Sequence, residues 1–376
     1  MKHPSLISTD IEVVSDEDRF FELGDDWNSF LQQCSCSSIF MTWEYLSNWW
    51  KAYGKSFQLY TVLLRDSESG ELIGMAPLMI GRGHTYPRKA FRHLTFLGGL
   101  GDSLAEYQDF VIRPDYEDQF FTALMDHLFA EQKKWDVISF PLIDESSSTL
   151  IHLVEEFPKL GTHVVQLSSR PSPHITLPES WQEFLSLKSK NFKKQFNNHW
   201  NRLHKKHEVE WLDAGKDIEV QEALQIVSDL NKERWGEKGD TFKSEEFNAF
   251  HKSLADSFAA KGWLYLRLLK VDGKFAAARY DFLYDNKLWN YQNGWLPELA
   301  HLSLGKMMIG DCVKWCIEQG IREYDFLAGD TDYKKSWATS SRQLMTIEVT
   351  NPSSRKALAF QQLRRIKNYM DRRAAS

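Results

Sequence analysis

Cysteine is scarce in this chain: four residues in 376, Cys34, Cys36, Cys312 and Cys316. The first pair is too close in sequence for an easy disulfide, and the second is spaced i, i+4 on a predicted helix. A zinc site would require both pairs to converge. The expectation is therefore buried free thiols and no metal. No run of about 18 apolar residues occurs, which argues against a membrane-spanning helix. No long apolar stretch follows Met1-Lys2-His3-Pro4-Ser5, so a secretory leader is not expected and cytoplasmic residence is. Basic residues are outnumbered, 46 Lys and Arg against 52 Asp and Glu, for a net charge of −6. That balance argues against wholesale nucleic-acid binding, while local basic stretches remain open.

Familiar catalytic signatures are missing as well. There is no Gly-x-Ser-x-Gly elbow, no Walker loop, no Gly-x-Gly-x-x-Gly and no His-Glu-x-x-His. Gly101-Asp102-Ser103-Leu104 spells the nucleophile block of the GDSL esterases, but no histidine has an aspartate three residues before it. A serine without a positioned base is a weak nucleophile, so the tetrapeptide reads as a turn.

What the chain has in abundance is aromatic side chains: 14 Trp, 13 Tyr and 24 Phe. Such residues fill cores and line clefts. With 42% hydrophobic and 26% charged residues, this is an ordinary globular composition, long enough for two cores.

The order of elements repeats. In the first half, strand 11–14 leads to a helix that Ser15 and Asp18 would open as a capping box and that runs to about Gln33. A helix capped by Thr42 follows, then a hairpin over 58–64 and 72–79. Strands near 91–97 and 107–112, a helix over 115–132, strand 137–140, a short helix and two strands near 163–167 and 174–177 complete it. In the second half, strand 209–212 precedes a helix over 218–234, a Ser244-capped helix, a hairpin over 263–271 and 274–283, and strand 287–292. A helix over 303–319, strand 323–327, a short helical piece and strand 343–349 follow. Leu59–Leu64 parallels Leu264–Leu269. The repeat suggests duplication of an α/β unit, with a boundary at Leu177-Pro178-Glu179, giving domains 1–178 and 179–376.

Two helices are basic. Lys188–Lys206 holds seven Lys or Arg and no acid, with Phe192, Phe196, Trp200 and Leu203 on one face. A C-terminal segment over 353–373 is similar, with Leu363, Ile366 and Met370 on one side. A solvated helix packed across the two domains is the plainer reading. A docking face for phosphate, RNA or an anionic surface is the sharper one.

Chemistry concentrates between Pro297 and Trp337. The first part turns the chain into a helix at Ser303-Leu304-Gly305-Lys306. Free N–H groups and the helix dipole favour a phosphate there, Gly305 permits close backbone approach, and Lys306 adds charge. The second part, Tyr324-Asp325-Phe326-Leu327-Ala328-Gly329-Asp330 followed by Tyr333-Lys334-Lys335-Ser336-Trp337, sets carboxylates, a phenol and two ammonium groups beyond a strand end, where α/β clefts open.

These residues carry a resemblance. With Glu233-Arg234-Trp235-Gly236, the hairpin Leu269–Ala277 and the Ser303-x-Gly305 helix entrance, the second half resembles the GNAT-type acyltransferase domain of the CelD-like proteins associated with polysaccharide synthesis. These are relatives of the FemAB aminoacyl transferases. The first half resembles the same family through Phe40-x-Thr42-x-Glu44-Tyr45, Trp49-Trp50, Gly74-x-Ala76-Pro77-Leu78, Phe96-Leu97-Gly98 and Tyr107-x-Asp109-Phe110. The resemblance implies two tandem GNAT domains, with an acyl-CoA, acetyl-CoA first, as co-substrate held between strands 287–292 and 323–327. Its pyrophosphate would rest on Ser303, Leu304, Gly305 and Lys306. It implies Tyr333 as the acid for the leaving thiolate and Asp325 or Asp281 as acceptor of the amine proton. It places Arg234, Trp235, Asp330, Lys334, Lys335 and Trp337 at the substrate, with the two lysines able to clamp a phosphate or an RNA end; a structural ion pair serves each of these groups equally well. The acceptor would be a small molecule, amino sugar or cell-envelope precursor. The phosphate loop departs from the family's Arg/Gln-x-x-Gly-x-Gly/Ala pattern: Ala300 stands first and Ser303 in the middle. An aminoacyl-tRNA donor and a non-catalytic scaffold in polysaccharide synthesis therefore stay open as alternatives.

Overall fold

Strand β1 (Thr9–Val14) runs into Asp16, whose side chain accepts the Arg19 N–H at 3.0 Å and starts α1 (Glu17–Glu22). The structure is a computed structural model and describes residues 8–36, 38–82, 88–100, 105–162, 164–239 and 241–363. The cap is Asp16 rather than the expected Ser15, and the single predicted helix is two, with α2 (Gly24–Leu31) starting afresh at Gly24. Thr42 caps α3 (Trp43–Tyr53) as its sequence predicts, accepting the Tyr45 N–H at 3.4 Å. Then come β2 (Gln58–Leu59), β3 (Thr61–Asp66), β4 (Leu72–Ala76), β5 (Leu78–Gly81), β6 (His93–Phe96) and β7 (Val111–Ile112). The last is shorter than the predicted 107–112 strand, because Tyr107 takes a positive φ of 51°. Helix α4 (Glu117–Ala130), β8 (Val137–Asp144), α5 (Ser148–Lys159) and β9 (Val164–Thr176) follow, β9 being one strand where two were predicted.

The second run of elements begins with α6 (Trp181–Ser186) and α7 (Lys190–Lys206). Next are β10 (Val209–Asp213), α8 (Val220–Gly239), α9 (Glu245–Lys261), β11 (Leu264–Val271), β12 (Lys274–Tyr284) and β13 (Lys287–Trp295). Helix α10 (Leu304–Glu318), β14 (Glu323–Asp325), α11 (Asp332–Trp337) and β15 (Ser340–Thr350) complete it. Ser244 caps α9 by accepting the Phe247 N–H at 3.1 Å, and Gly262 closes the helix in the left-handed conformation. Helix α8 is broken at Gly236, whose φ of 65° and ψ of 178° no helix contains.

The chain folds as two units. The first gathers the described residues of Met1–Arg170 and Gln343–Ser376; the second is Pro171–Arg342. In the first, β1, β3, β4 and β7 pair antiparallel in that order. Strands β2, β5, β6, β8 and β15 also pair in that order, with β6 and β8 parallel. Phe120, Phe121, Leu124, Met125 and Leu128 of α4 close its core with Phe96, Phe110 and Phe140. In the second, β10, β11, β12 and β13 are antiparallel, β14 is parallel to β13, and His174–Thr176 of β9 pair with β14. A single cut at residue 178 does not describe this division. The alternation of β15 sends Ile347 and Val349 into the first core while its backbone pairs with β8, so the strand joins the first unit.

The apolar stripe of α7 seats on α10 within the second unit: Phe196 and Leu203 are buried there, and a Cβ on Gly310 would overlap the Phe196 ring. Lys190, Lys194, Lys205 and Lys206 stay exposed. Of the predicted C-terminal helix, 355–363 is helical, and its remainder, with Ile366 and Met370, lies outside the described residues, as does Gly101–Leu104. All four cysteines are free thiols, and burial pushes Cys34 and Cys312 up to about 12. Among the described residues no helix is long and apolar enough to cross a membrane, and no cluster of His, Cys, Asp and Glu is grouped to hold a metal.

Candidate active site

The turn Asp272-Gly273, both at positive φ, joins β11 to β12. Strand β12 then pairs with β13 until the register slips: Tyr280 faces Gln292 while Phe282 faces Trp289. Asn290 and Tyr291 together stand opposite Asp281, which makes a β-bulge. At the same level β13 loses its other neighbour. Its parallel pairs with β14 are Lys287–Glu323, Leu288–Tyr324 and Trp289–Asp325, and there β14 stops while β13 continues to Trp295. Leu327, with φ of 60°, and Gly329, with φ of 123°, turn the chain away. Asp325 holds that turn: its Oδ1 accepts the Leu327 N–H at 2.7 Å and the Ser172 hydroxyl at 3.2 Å. Two strands that pair and then part leave a slot in the sheet.

The slot opens into a cleft of about 220 Å³ lined by Arg234 of α8, Arg279 of β12, Asn293 and Trp295 of β13, Ala300, Ser303, the first turn of α10 at Leu304–Lys306, Ile309, and Tyr333 of α11. No carboxylate is among these lining residues. Ser303 is left-handed, φ 57° and ψ 41°, and its side chain makes no cap bond. The Ser303 carbonyl accepts the Lys306 N–H at 2.9 Å, so it is the Leu304 and Gly305 N–H groups that keep the open donors and positive partial charge of a helix start. Lys306 is exposed beside them. This end of the cleft suits a phosphate.

Residues 190–335 match a family model described as an acetyltransferase (GNAT) domain. This stretch is a GNAT domain. It runs from α7 into α11 and includes every residue lining the cleft. Among solved structures the chain is similar to FemX, with TM-score 0.60 and 11% identity over 86% of this chain and 95% of that one. It is also similar to a conserved protein of unknown function from Bacteroides thetaiotaomicron, with TM-score 0.54 and 13% identity over 90% and 99% of the two chains. A third is the C-terminal domain of a putative lysylphosphatidylglycerol synthetase from Agrobacterium fabrum, with TM-score 0.51 and 12% identity over 90% and 94%. At such identities the likeness is one of fold. No curated protein matches the sequence. The first unit repeats the order of the GNAT domain, β1-β3-β4 matching β10-β11-β12 and β6-α4-β8 matching β13-α10-β14. The fold is thus a tandem of GNAT units.

The GNAT domain brings together only some of the residues singled out from sequence. Tyr333 lines the cleft; burial pushes its phenol pKa up, partly opposed by Arg279 and Arg234, so it keeps its proton. Arg234 lines it too, with its guanidinium 4.3 Å from the Trp235 ring and 5.5 Å from the Trp295 ring, and it donates to the Asn293 side chain. Trp235 itself is 54% exposed and supports Arg234 from outside the lining. Ser303, Leu304, Gly305 and Lys306 are all at the cleft.

The two candidate bases are not. Asp281 is fully buried, its Oδ2 and Oδ1 accepting Arg279 Nε at 2.8 Å and Nη2 at 3.3 Å, with Tyr291 N–H on Oδ1 at 3.0 Å. Asp325 is fully buried in the turn it caps. Neither lines the cleft, so neither meets an amine there. Trp337 is core: 1% exposed, its ring lies 4.9 Å from Phe192, 5.8 Å from Phe196 and 6.0 Å from Phe184. Lys334 Nζ donates to the Leu327 and Ala328 carbonyls at 3.1 and 2.8 Å, fastening the loop instead of waiting for a phosphate. Asp330 and Lys335 pair with each other at 3.1 Å on the surface.

Arg279, Asn293, Trp295 and Ile309 were not singled out from sequence. Arg279 had a readable signal: a lone cation in Ala276-Ala277-Ala278-Arg279-Tyr280-Asp281, with an acid two residues on and hence on the same strand face. Burial works against its charge, and the Asp281 carboxylate reverses that, holding the guanidinium pKa well above its ordinary value. Behind the bulge, His251 is buried with Nδ1 3.2 Å from the Tyr280 hydroxyl and Nε2 3.1 Å from the Tyr291 hydroxyl. Burial draws its imidazole down to about 3, so it is neutral.

Proposed function

We propose that this chain is an N-acyltransferase that moves an acyl group, acetyl first, from a CoA thioester to an amine of a small molecule, amino sugar or cell-envelope precursor. The observation that carries this is the parting of β13 and β14 at Trp289 and Asp325, onto a cleft whose other wall is the bare first turn of α10. Such a slot admits an extended pantetheine-like arm, and the N–H groups of α10 with Lys306 meet its pyrophosphate.

In this reading the β13 edge beyond the bulge orients the thioester, because its N–H and C=O groups have no β14 partner there. Tyr333, protonated at neutral pH, donates to the departing thiolate. The amine loses its proton to water: no carboxylate lines the cleft, and Asp281 and Asp325 are both held by other bonds.

One test uses thermal shift with a panel of acyl-CoAs on the purified full chain. Stabilisation by at least one, lost with 0.3 M salt more readily than with 0.05 M, supports the reading; no shift with any of them refutes the donor.

A second reading has an observation of its own. Helix α7 lies against the mouth: His199 senses the charge of Lys306, and Arg202 donates to the His301 carbonyl. Its exposed lysines extend positive charge from the cleft onto one helix face. That face suits the longer polyanion of an aminoacyl-tRNA donor, and one of the similar structures, FemX, belongs to the group that the sequence resembles. Charged tRNA retained through purification at low salt, and released with a steep dependence on salt, would favour this donor over CoA.

A further inference from the structure

Arg234 carries a charge that no carboxylate balances among the described residues. It is half-buried on α8, with its guanidinium 4.3 and 5.5 Å from two indole rings and tied to the Asn293 side chain. The titratable groups acting on it are the Tyr333 phenol and a second guanidinium, Arg279. Arg279 is 2% exposed and still reaches the same cleft. Its Nε and Nη2 are engaged by Asp281, and that pair leaves Nη1 unused. Burial draws the Arg234 pKa down and the Arg279 charge adds to that effect, so two like charges face one small space with a phenol beside them. Burying a cation without a counter-ion is costly, and a preorganised guanidinium grips an oxyanion through two parallel N–H bonds. Lys306 and the α10 N–H groups form a different part of the lining, at the helix entrance, already suited to the donor's phosphates.

We propose that the space between Arg234 and Arg279 binds an oxyanion carried by the acceptor itself, a carboxylate or phosphate close to the amine. The assignment of that anion to an acceptor rests on the acyltransferase reading; the anion site does not. Amino acids and phosphorylated amino sugars then fit the cleft, and neutral amino sugars do not.

The test is a titration of the full chain labelled with ¹⁵N-arginine, following the Nε–H signal that disappears in Arg234→Lys. Sodium acetate and methyl phosphate are added at constant ionic strength against sodium chloride, with and without saturating CoA. The expected result is a saturable shift of the Arg234 signal with at least one anion. That shift survives CoA and weakens fivefold or more in Arg279→Lys; the tighter anion names the acceptor's charged group. Should Arg279→Lys fail to fold, Asn293→Ala, which frees the Arg234 fork, serves in its place with a smaller loss. No saturable shift beyond chloride overturns the proposal, and so does displacement of both anions by CoA. Binding of CoA without either anion sinks this inference alone. Binding of an anion without CoA sinks the CoA donor and leaves the anion site standing.

Discussion

The two units set the same elements in the same order and treat them oppositely. In the first, β6 and β8 pair in parallel at His93–Val137, Leu94–Ile138 and Thr95–Ser139, as β13 and β14 do. Strand β8 then continues to Asp144, and the rings of Phe96, Phe110 and Phe140 meet with centroids 4.9 to 5.2 Å apart. In the second, β14 stops after three residues and the place is a cleft lined by two arginines and a tyrosine. The following helices differ in the same sense. Helix α4 begins with Glu117 and Asp118, which satisfy the helix dipole from within; α10 begins with no acid and has Lys306. Neither helix start has a side-chain cap, but one unit offsets the helix dipole with its own acids and the other leaves it positive. A shared fold therefore says little about which copy works; charge at one helix turn and length of one strand say much.

Breaking the buried pair under the cleft gives the largest effect. Asp281→Asn strands Arg279 in the core and is expected to cost about 3–5 kcal/mol of unfolding free energy, read by urea titration; a loss below about 1 kcal/mol would mean the pair is solvated. Trp337→Ala is expected to cost a similar ~3–5 kcal/mol. A variant that instead keeps its stability and loses substrate affinity would return Trp337 to the substrate.

Tyr333→Phe sharpens the comparison at the chemical step. Turnover should fall about 100-fold with KM little changed and stability intact; unchanged turnover removes Tyr333 as the acid. Lys306→Glu gives α10 the charge that α4 carries. CoA affinity should fall roughly tenfold, measured by calorimetry, with a shallower salt dependence. If it does not, the contrast between the two helix starts has no bearing on the donor.

At neutral pH the smallest effect comes from His251, whose titration shows only as pH falls below its ordinary value. His251 ionises near 3 in the folded chain against 6.5 as its ordinary value. The unfolded chain thus binds the extra proton between these values, so stability present above pH 6.5 is lost as pH falls toward 3. The slope approaches about 1.4 kcal/mol per pH unit from this group. His251→Leu should flatten it; an unaltered slope would place the titration elsewhere.

Periodicity and caps make most elements legible. Ser244 and Thr42 cap the helices that their sequence positions predict, and the hairpin around Asp272-Gly273 is as spaced. The helix entrance at Ser303–Lys306 is legible because a chain turn, a glycine and a lysine coincide there. The rest is not, for physical reasons. Whether Asp281 meets solvent or Arg279 depends on which strand face closes over it. Trp337 and Tyr333 are four apart on one short helix, and only packing decides that the first fills the core while the second reaches the cleft. Strand β15 reads as the natural end of the second half; its partner is fixed by pairing across some 200 residues of chain, which no local pattern carries.

That last strand has a consequence for biosynthesis. Because Ile347 and Val349 complete the first core, the first unit lacks a strand until residues 343–350 have been made, while the second unit, translated before them, already holds its own strands. Maturation then runs against the direction of synthesis. Nascent chains arrested before residue 343 should show the later portion protected from protease sooner than the earlier one.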